Sequence, residues 1–412
     1  MAAKLISLLG TSIQNFALAL YLLKTTGSGT KFALALVIGI IPQLVLGPIA
    51  GVFVDWFDRK KILVYLDLLA AVVVGSFAFT YAYNGKLSLL SVYLLVMLLS
   101  LINVLFQPAT STIIPTIMQR EELVDSNGIN SFFTSIGNLA APAIAGVLFG
   151  IYGLLPVLII NSISFVISSC CEMFIDIPKM NKSHEKISFK SFSADFSEGL
   201  NFVKNKELIM MIMVIALMAN FAVDPVCSVG FAFVSKQVLK VTDTQYGFIE
   251  SVFVASMLFS PFICSKVAKK YEIAKVAFWS FLFVGIFAAV LAIVPSKSFI
   301  NMFDSNSIPY ATMLAIVFIL GILSTISNIC MGTLFQKEVP IEMMGRVVTL
   351  LNTVSMAALP LGRFVFGVLF DKLPANISIL VAAILLVLTM LYFAKKLLNY
   401  TEKTKIEESI SA

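Results

Sequence analysis

Long apolar runs recur through this chain, about 20 residues at a time, with short polar breaks between them. As a helix, a run of that length crosses the roughly 30 Å hydrocarbon core of a bilayer. Twelve such runs fall at about 5–23, 32–54, 62–83, 89–113, 126–150, 153–177, 207–235, 244–265, 273–294, 310–335, 345–370 and 376–394. Outer-membrane barrels are built from alternating strands of only about 10 residues, so a barrel is excluded. Of the 412 residues 59% are hydrophobic and 13% charged, against roughly 25% charged in soluble domains. The mean hydropathy of +0.97 points the same way. The fold class is an all-α membrane protein with twelve transmembrane helices.

Twelve spans put both termini on one side of the membrane. With these boundaries, 21 of the 29 Lys/Arg residues fall in the termini and the even-numbered loops, and seven in the odd-numbered loops. Positive charge collects on the cytoplasmic side, so both termini and the 178–206 segment are expected in the cytoplasm of a bacterial cell with the chain in its inner membrane. The net charge of +6 is this loop bias and does not call for a nucleic-acid partner. The first run continues to Leu23 and is interrupted by Gln14 and Asn15, which reads as an uncleaved helix rather than a signal peptide. Cys170, Cys171, Cys227, Cys264 and Cys330 all lie in apolar runs and read as free thiols, with no metal or disulfide framework.

The chain reads as two echoing halves. Pro142 and Pro360 are 218 apart, and Gly146-Val147-Leu148-Phe149 returns as Gly367-Val368-Leu369-Phe370 after 221 residues. Offsets near half the length indicate a duplicated six-helix unit. The expected organisation is an N-terminal bundle at 1–177, a linker at 178–206, a C-terminal bundle at 207–397 and a tail at 398–412. In the linker, Phe189, Phe192, Phe196, Leu200 and Val203 recur every three or four residues, the pattern of an amphipathic helix. The sole histidine, His184, also lies there and reads as a solvated loop residue.

Residues 47–67 carry the most specific pattern. An apolar run ends at Asp55, the cations Arg59, Lys60 and Lys61 follow, and a new apolar run begins at Ile62. So short a polar link makes an antiparallel helical hairpin. Gly47 and Gly51, four apart, share a helix face that lets a neighbouring backbone approach. Gly51, Asp55, Arg59 and Lys60 resemble the G-x-x-x-D-x-x-G-R-[RK] loop of major facilitator superfamily transporters, with Asp58 in place of the usual glycine. An acid at Asp67, early in the third helix, resembles the macrolide-efflux and siderophore-exporter branch (drug:proton antiporter type 3). Phe106-Gln107-Pro108-Ala109, Glu121-Glu122-Leu123 and Gly345-Arg346-Val347 resemble the same branch. The resemblance implies two pseudo-symmetric six-helix bundles and a gating role for Gly51, Asp55, Asp58, Arg59, Lys60 and Asp67, with Asp67 pairing with the cations of the loop.

Ala141-Pro142-Ala143-Ile144-Ala145-Gly146 is similar to the helix-5 signature of antiporters, in which Pro142 and Gly146 would bend and pack the helix. Ala141 and Ala145 stand where glycines are usual. Asn161 stands where many relatives carry an Asp.

The sequence holds no nucleotide-binding loop, no H-E-x-x-H, no C-x-x-C and no G-x-S-x-G. The chain is therefore not expected to be an enzyme or to need a cofactor, and its energy would come from an ion gradient. Proton coupling needs a carboxyl group inside the membrane. Asp224, Glu250 and Arg363 are the ionisable candidates, all in the second half and within one range of depth; a structural ion pair of Arg363 with Asp224 or Glu250 is the plainer role. Gln14, Asn15, Asn103, Gln107, Asn220 and Asn328 are candidate cavity amides on helices 1, 4, 7 and 10. Scattered amides in an apolar wall suit a small amphipathic substrate. The resulting expectation is a monomeric, proton-coupled exporter working by alternating access. The alternatives are a lipid or lysophospholipid transporter, an importer, and a receptor or scaffold that does not transport.

Overall fold

The computed structural model describes residues 2–55, 58–111, 123–174 and 200–399. Within these, side chains are described except at 2–5, 48–49, 51–55, 59, 111, 123–136, 138, 341, 342, 345 and 349. The described residues are overwhelmingly helical and contain no strand. The long helices are α1 (Ala2–Thr26), α2 (Gly29–Asp55), α3 (Arg59–Asn84), α4 (Leu89–Ser111), α5 (Leu123–Tyr152) and α6 (Leu154–Met173). They continue with α7 (Glu207–Val238), α8 (Asp243–Lys270), α9 (Ile273–Leu291), α10 (Ser307–Glu338), α11 (Ile341–Lys372) and α12 (Ala375–Leu398). Eleven are long and apolar enough to cross a bilayer, and α5 adds the shorter apolar stretch Leu139–Tyr152. Phe79, Leu90, Phe262 and Tyr392 are each more than 70% exposed. Such apolar exposure is unusual on a soluble surface and fits side chains that face lipid.

The chain divides into two compact units, residues 1–187 with 242–251, and residues 188–241 with 252–412. Inside the first, α1 packs against α5 and α6, and α3 against α6. Inside the second, α7 packs against α11 and α12, and α9 against α12. Each pairing recurs six helices later, as a duplicated six-helix bundle requires. Of the 178–206 linker, residues 200–204 are helical and Val203 is buried; Phe189, Phe192, Phe196 and His184 lie outside the described residues, as does most of the tail.

Local chemistry sets several ends. Asp58, where the superfamily pattern has glycine, is the N-cap of α3: its carboxylate accepts from the backbone N–H of Lys60 (3.0 Å) and Lys61 (3.4 Å). A capping carboxylate satisfies N–H groups that have no partner inside the helix. Gly85 closes the other end at φ +70, a conformation that favours glycine.

Helix α7 is the irregular one. Its middle and end widen into π-helical turns at Ala219–Val223, Val226–Gly230 and Val234–Val238. Pro225 has no N–H to donate, so the ordinary ladder is interrupted beside it. The Asp224 N–H reaches back to the carbonyl of Ala219 instead. Such turns are rare and often found at functional positions.

Candidate substrate and coupling site

The α7–α11 interface of the second unit is built around a charged pair. Arg363 donates from Nε to Asp224 Oδ2 at 2.7 Å and from Nη2 to Oδ1 at 3.0 Å. The pair is only partly exposed, 16% for Arg363 and 26% for Asp224. Two parallel charge-assisted bonds fix orientation as well as distance. Ser228, one turn beyond Asp224, donates to the same Oδ2 at 3.3 Å.

Three further contacts place this pair. The Asn220 amide donates to the Ser355 carbonyl at 3.1 Å. Phe221 meets Phe366 edge-on, with ring centres 6.1 Å apart. Gly362 lies so close to α7 that a Cβ there would overlap the carbonyl oxygen of Phe221. Without that bare backbone α11 could not approach, and Arg363, the next residue, could not span to Asp224. Gly362 was not singled out from sequence; the signal was a glycine next to the only Lys or Arg deep within a span.

Glu250 has a different partner. It accepts from the Tyr246 hydroxyl at 2.8 Å, one turn away on α8. Tyr246 is buried and its ring stacks on Phe16 of α1 at 5.0 Å. In the same region Lys24 pairs with the buried Asp243 at 3.6 Å and lies over the Phe149 ring. These contacts belong to the first unit, which includes the start of α8. There the α5 signature also acts: a Cβ on Gly146 would stand 2.7 Å from the Asp243 carbonyl oxygen, and one on Gly247 would overlap the carbonyl of Pro142. The Pro142 and Gly146 positions thus lie where two backbones nearly touch.

The amides separate into two groups. Asn15, Asn103 and Gln107 line a cavity of about 320 Å³ in the first unit, together with Ser12, Phe106 and Asp67. Asn328 lines one of about 530 Å³ in the second, with Gln336, Phe281, Met331 and Phe335. Both walls combine apolar side chains with a few hydrogen-bonding groups, the usual make-up of a small-molecule site. Gln14 and Asn220 bond within their bundles instead. Gln14 is fully buried and accepts from the Asn161 amide at 2.7 Å. Asn161, where an acid is usual, therefore serves as a neutral α1–α6 clasp.

Of the charged tip, the side chains of Gly51, Asp55 and Arg59 lie outside the described residues, whereas Asp58 caps α3 and Lys60 is half-buried. Asp67 is 1% exposed, and its neighbours are Ser168 and Glu172 of α6.

Two helical bundles, each with a cavity inside the membrane span, have the architecture of a solute transporter. The sequence profile of the Major Facilitator Superfamily matches residues 1–362, and the chain belongs to that family. It is 23% identical over 386 residues to macrolide efflux protein A of Streptococcus pyogenes, with 94% of this chain and 92% of that protein covered. It is 22% identical over 371 residues to the multidrug efflux pump Tap of Mycolicibacterium fortuitum, covering 88% and 86%. Among solved structures it superposes on the nucleoside transporter NupG with a TM-score of 0.72, over 95% of this chain and 97% of that one, at 14% identity. At that identity the superposition speaks for the fold alone.

Proposed function

We propose that the protein exports small amphipathic molecules, macrolide-like drugs or siderophore-like metabolites, in exchange for protons by alternating access. It acts as a monomer in the bacterial inner membrane with both termini in the cytoplasm. The relatives named as macrolide and multidrug efflux proteins support export. The observation that carries the coupling is the bidentate Asp224–Arg363 pair inside the membrane, set at the π-helical break of α7. With Asp224 ionised, the pair ties α7 to α11. A proton on Asp224 removes the charge that holds the guanidinium, and the tie loosens. The same interface thus has two arrangements that proton binding selects between. Glu250, held by Tyr246, is the second candidate proton acceptor. The tip from Asp55 to Lys60 serves as the cytoplasmic gate, and Asp58 fixes where α3 begins.

The test is accumulation of a dye and antibiotic panel, macrolides included, in pump-deficient bacteria with and without the protein. Each is measured with and without a protonophore, and with Asp224→Asn. Lower accumulation that both treatments abolish is the expected result. Loss with the protonophore alone keeps proton exchange and transfers the coupling role to Glu250. No change for any compound overturns the drug reading in favour of a lipid or lysophospholipid substrate.

A further inference from the structure

Among the described side chains, two buried acids of the first unit have no cation beside them. Asp67 on α3 is 1% exposed and Glu172 on α6 is 8% exposed. Asp67 Oδ2 and Glu172 Oε2 are both buried without a hydrogen-bond partner. So is the hydroxyl of Ser168, which is fully buried and lies against Asp67. Ser168 and Glu172 are four apart and share one face of α6. The two carboxylates are close enough to repel each other.

The helices are tied on both sides of this cluster. Ser169 donates to the Val64 carbonyl at 3.2 Å and Ser162 to the Ala71 carbonyl at 2.8 Å. The acids therefore sit within a close α3–α6 contact. Asp67 also lines the cavity of about 320 Å³, beside Ser7, Thr11 and Asn103, so a small ion has a polar route to it.

No described side chain supplies the missing positive charge. On α3, Lys60 is two turns away, about 10 Å along the axis, and Lys61 and Tyr65 are exposed. On α6, Cys170 and Cys171 are exposed. Among the side chains that the structure describes, the titratable groups of α1, Tyr21 and Lys24, stand at its far end, as does Tyr93 of α4, while α5 carries only the exposed Tyr152. Two neighbouring carboxylates without a counter-charge are costly inside a membrane protein. One bound cation removes most of that cost.

We propose that Asp67, Glu172 and Ser168 form a binding site for one monovalent cation, a proton or Na⁺. The donors are hard oxygens, which disfavours soft metals. Three side chains are too few for the six to eight oxygen ligands of Ca²⁺. Among the described residues there is no group of three or more His, Cys, Asp or Glu that would hold a metal. The site lies in the first unit, apart from the Asp224–Arg363 pair, and does not depend on the export reading.

The test uses the purified full-length protein in lipid nanodiscs. Radioactive ²²Na⁺ binding reads the sodium arm. Infrared difference spectra across a pH titration read the proton arm through the C=O stretch of a protonated carboxyl. Wild type and Asp224→Asn should both give either saturable ²²Na⁺ binding or such a band. In the sodium case, Asp67→Asn and Glu172→Gln should each bind roughly tenfold more weakly or worse. In the proton case, each single variant should shift the band and the double variant should lose it. The single variants decide the matter if the double variant does not fold. Wild type with neither signal, or ²²Na⁺ binding and carboxyl bands that none of the Asp67 and Glu172 variants weakens, shifts or removes, overturns the proposal. A separate band unchanged in all of them belongs to another carboxyl such as Asp224 or Glu250 and is not counted. Loss in Asp224→Asn alone overturns it too, by moving the ion to the second unit. Efflux is not part of the readout, so a failure of the export reading leaves this result standing.

Discussion

Asp224 in the second unit and Asp67 in the first are both acids within membrane helices, yet their surroundings are opposites. Asp224 meets a guanidinium through two hydrogen bonds and keeps a quarter of its surface exposed. Asp67 is buried at the wall of a cavity, with an orphan oxygen and a second acid for a neighbour. The difference lies in what the partner helix offers at that level. Helix α11 brings Arg363 against α7 because Gly362 allows the backbones to close. Helix α6 brings serines and Glu172 against α3. A charged pair draws two helices together, whereas two like charges oppose the contact unless a cation lies between them.

Removing one member of the pair should give the largest effect. Arg363→Leu leaves Asp224 without its cation, and the stability loss should be about 2 to 4 kcal/mol, tempered by the partial exposure of the site. Thermal unfolding in detergent measures it as a lower melting temperature. The double variant Asp224→Asn/Arg363→Gln should recover most of that loss, because no uncompensated charge remains. If the double variant is as unstable as Arg363→Leu, the interface is held by packing and the pair is incidental to it.

Gly362→Ala comes next, at about 1 to 3 kcal/mol, since the added methyl overlaps the Phe221 carbonyl and α11 must move away. It keeps both charged residues, so it asks whether their distance or merely their presence matters. Efflux should fall along with the melting temperature. Gln14→Leu should cost less, about 1 to 2 kcal/mol, by leaving the Asn161 amide buried without its acceptor. Adding Asn161→Leu should return part of that loss, which a two-by-two thermal series would show.

The twelve helices were legible because each apolar run must match the bilayer, and the structure places them within a few residues of the runs. Several differences fall at polar ends: α8 continues to Lys270 and α10 to Glu338, whereas α9 stops at Leu291, three residues short of its run. Hydropathy cannot see a helix that extends past the membrane. Position along the helices set Asp224 and Arg363 at similar depth, but their partnership depends on Gly362 and on the π turns of α7. Those follow from tertiary contact and leave no periodic signal. Glu172 lies one residue from the end of α6, a position at which hydropathy alone leaves an acid at the membrane interface. Its burial comes from α3 lying across it, which no local pattern encodes. Asp58 departs from the superfamily glycine, and its reason, a helix cap, became plain only once the start of α3 was known.

The smallest effect is also the sharpest test of the contrast between the two acids. Asp224→Asn should lower the melting temperature, because it leaves Arg363 without its counter-charge. Asp67→Asn should do the reverse at low Na⁺ and alkaline pH, gaining about 1 kcal/mol, because an orphan anion is replaced by a neutral group of the same shape. A bound cation stabilises only the folded protein that can hold it. Wild type should therefore gain stability as the bound ion is supplied, by raising Na⁺ or by lowering the pH, while Asp67→Asn gains less. The gap between the two should close and then change sign. A gap that stays constant in both titrations would mean that Asp67 is neutralised by something other than an exchangeable ion, and the two acids would then differ only in the partner that holds them.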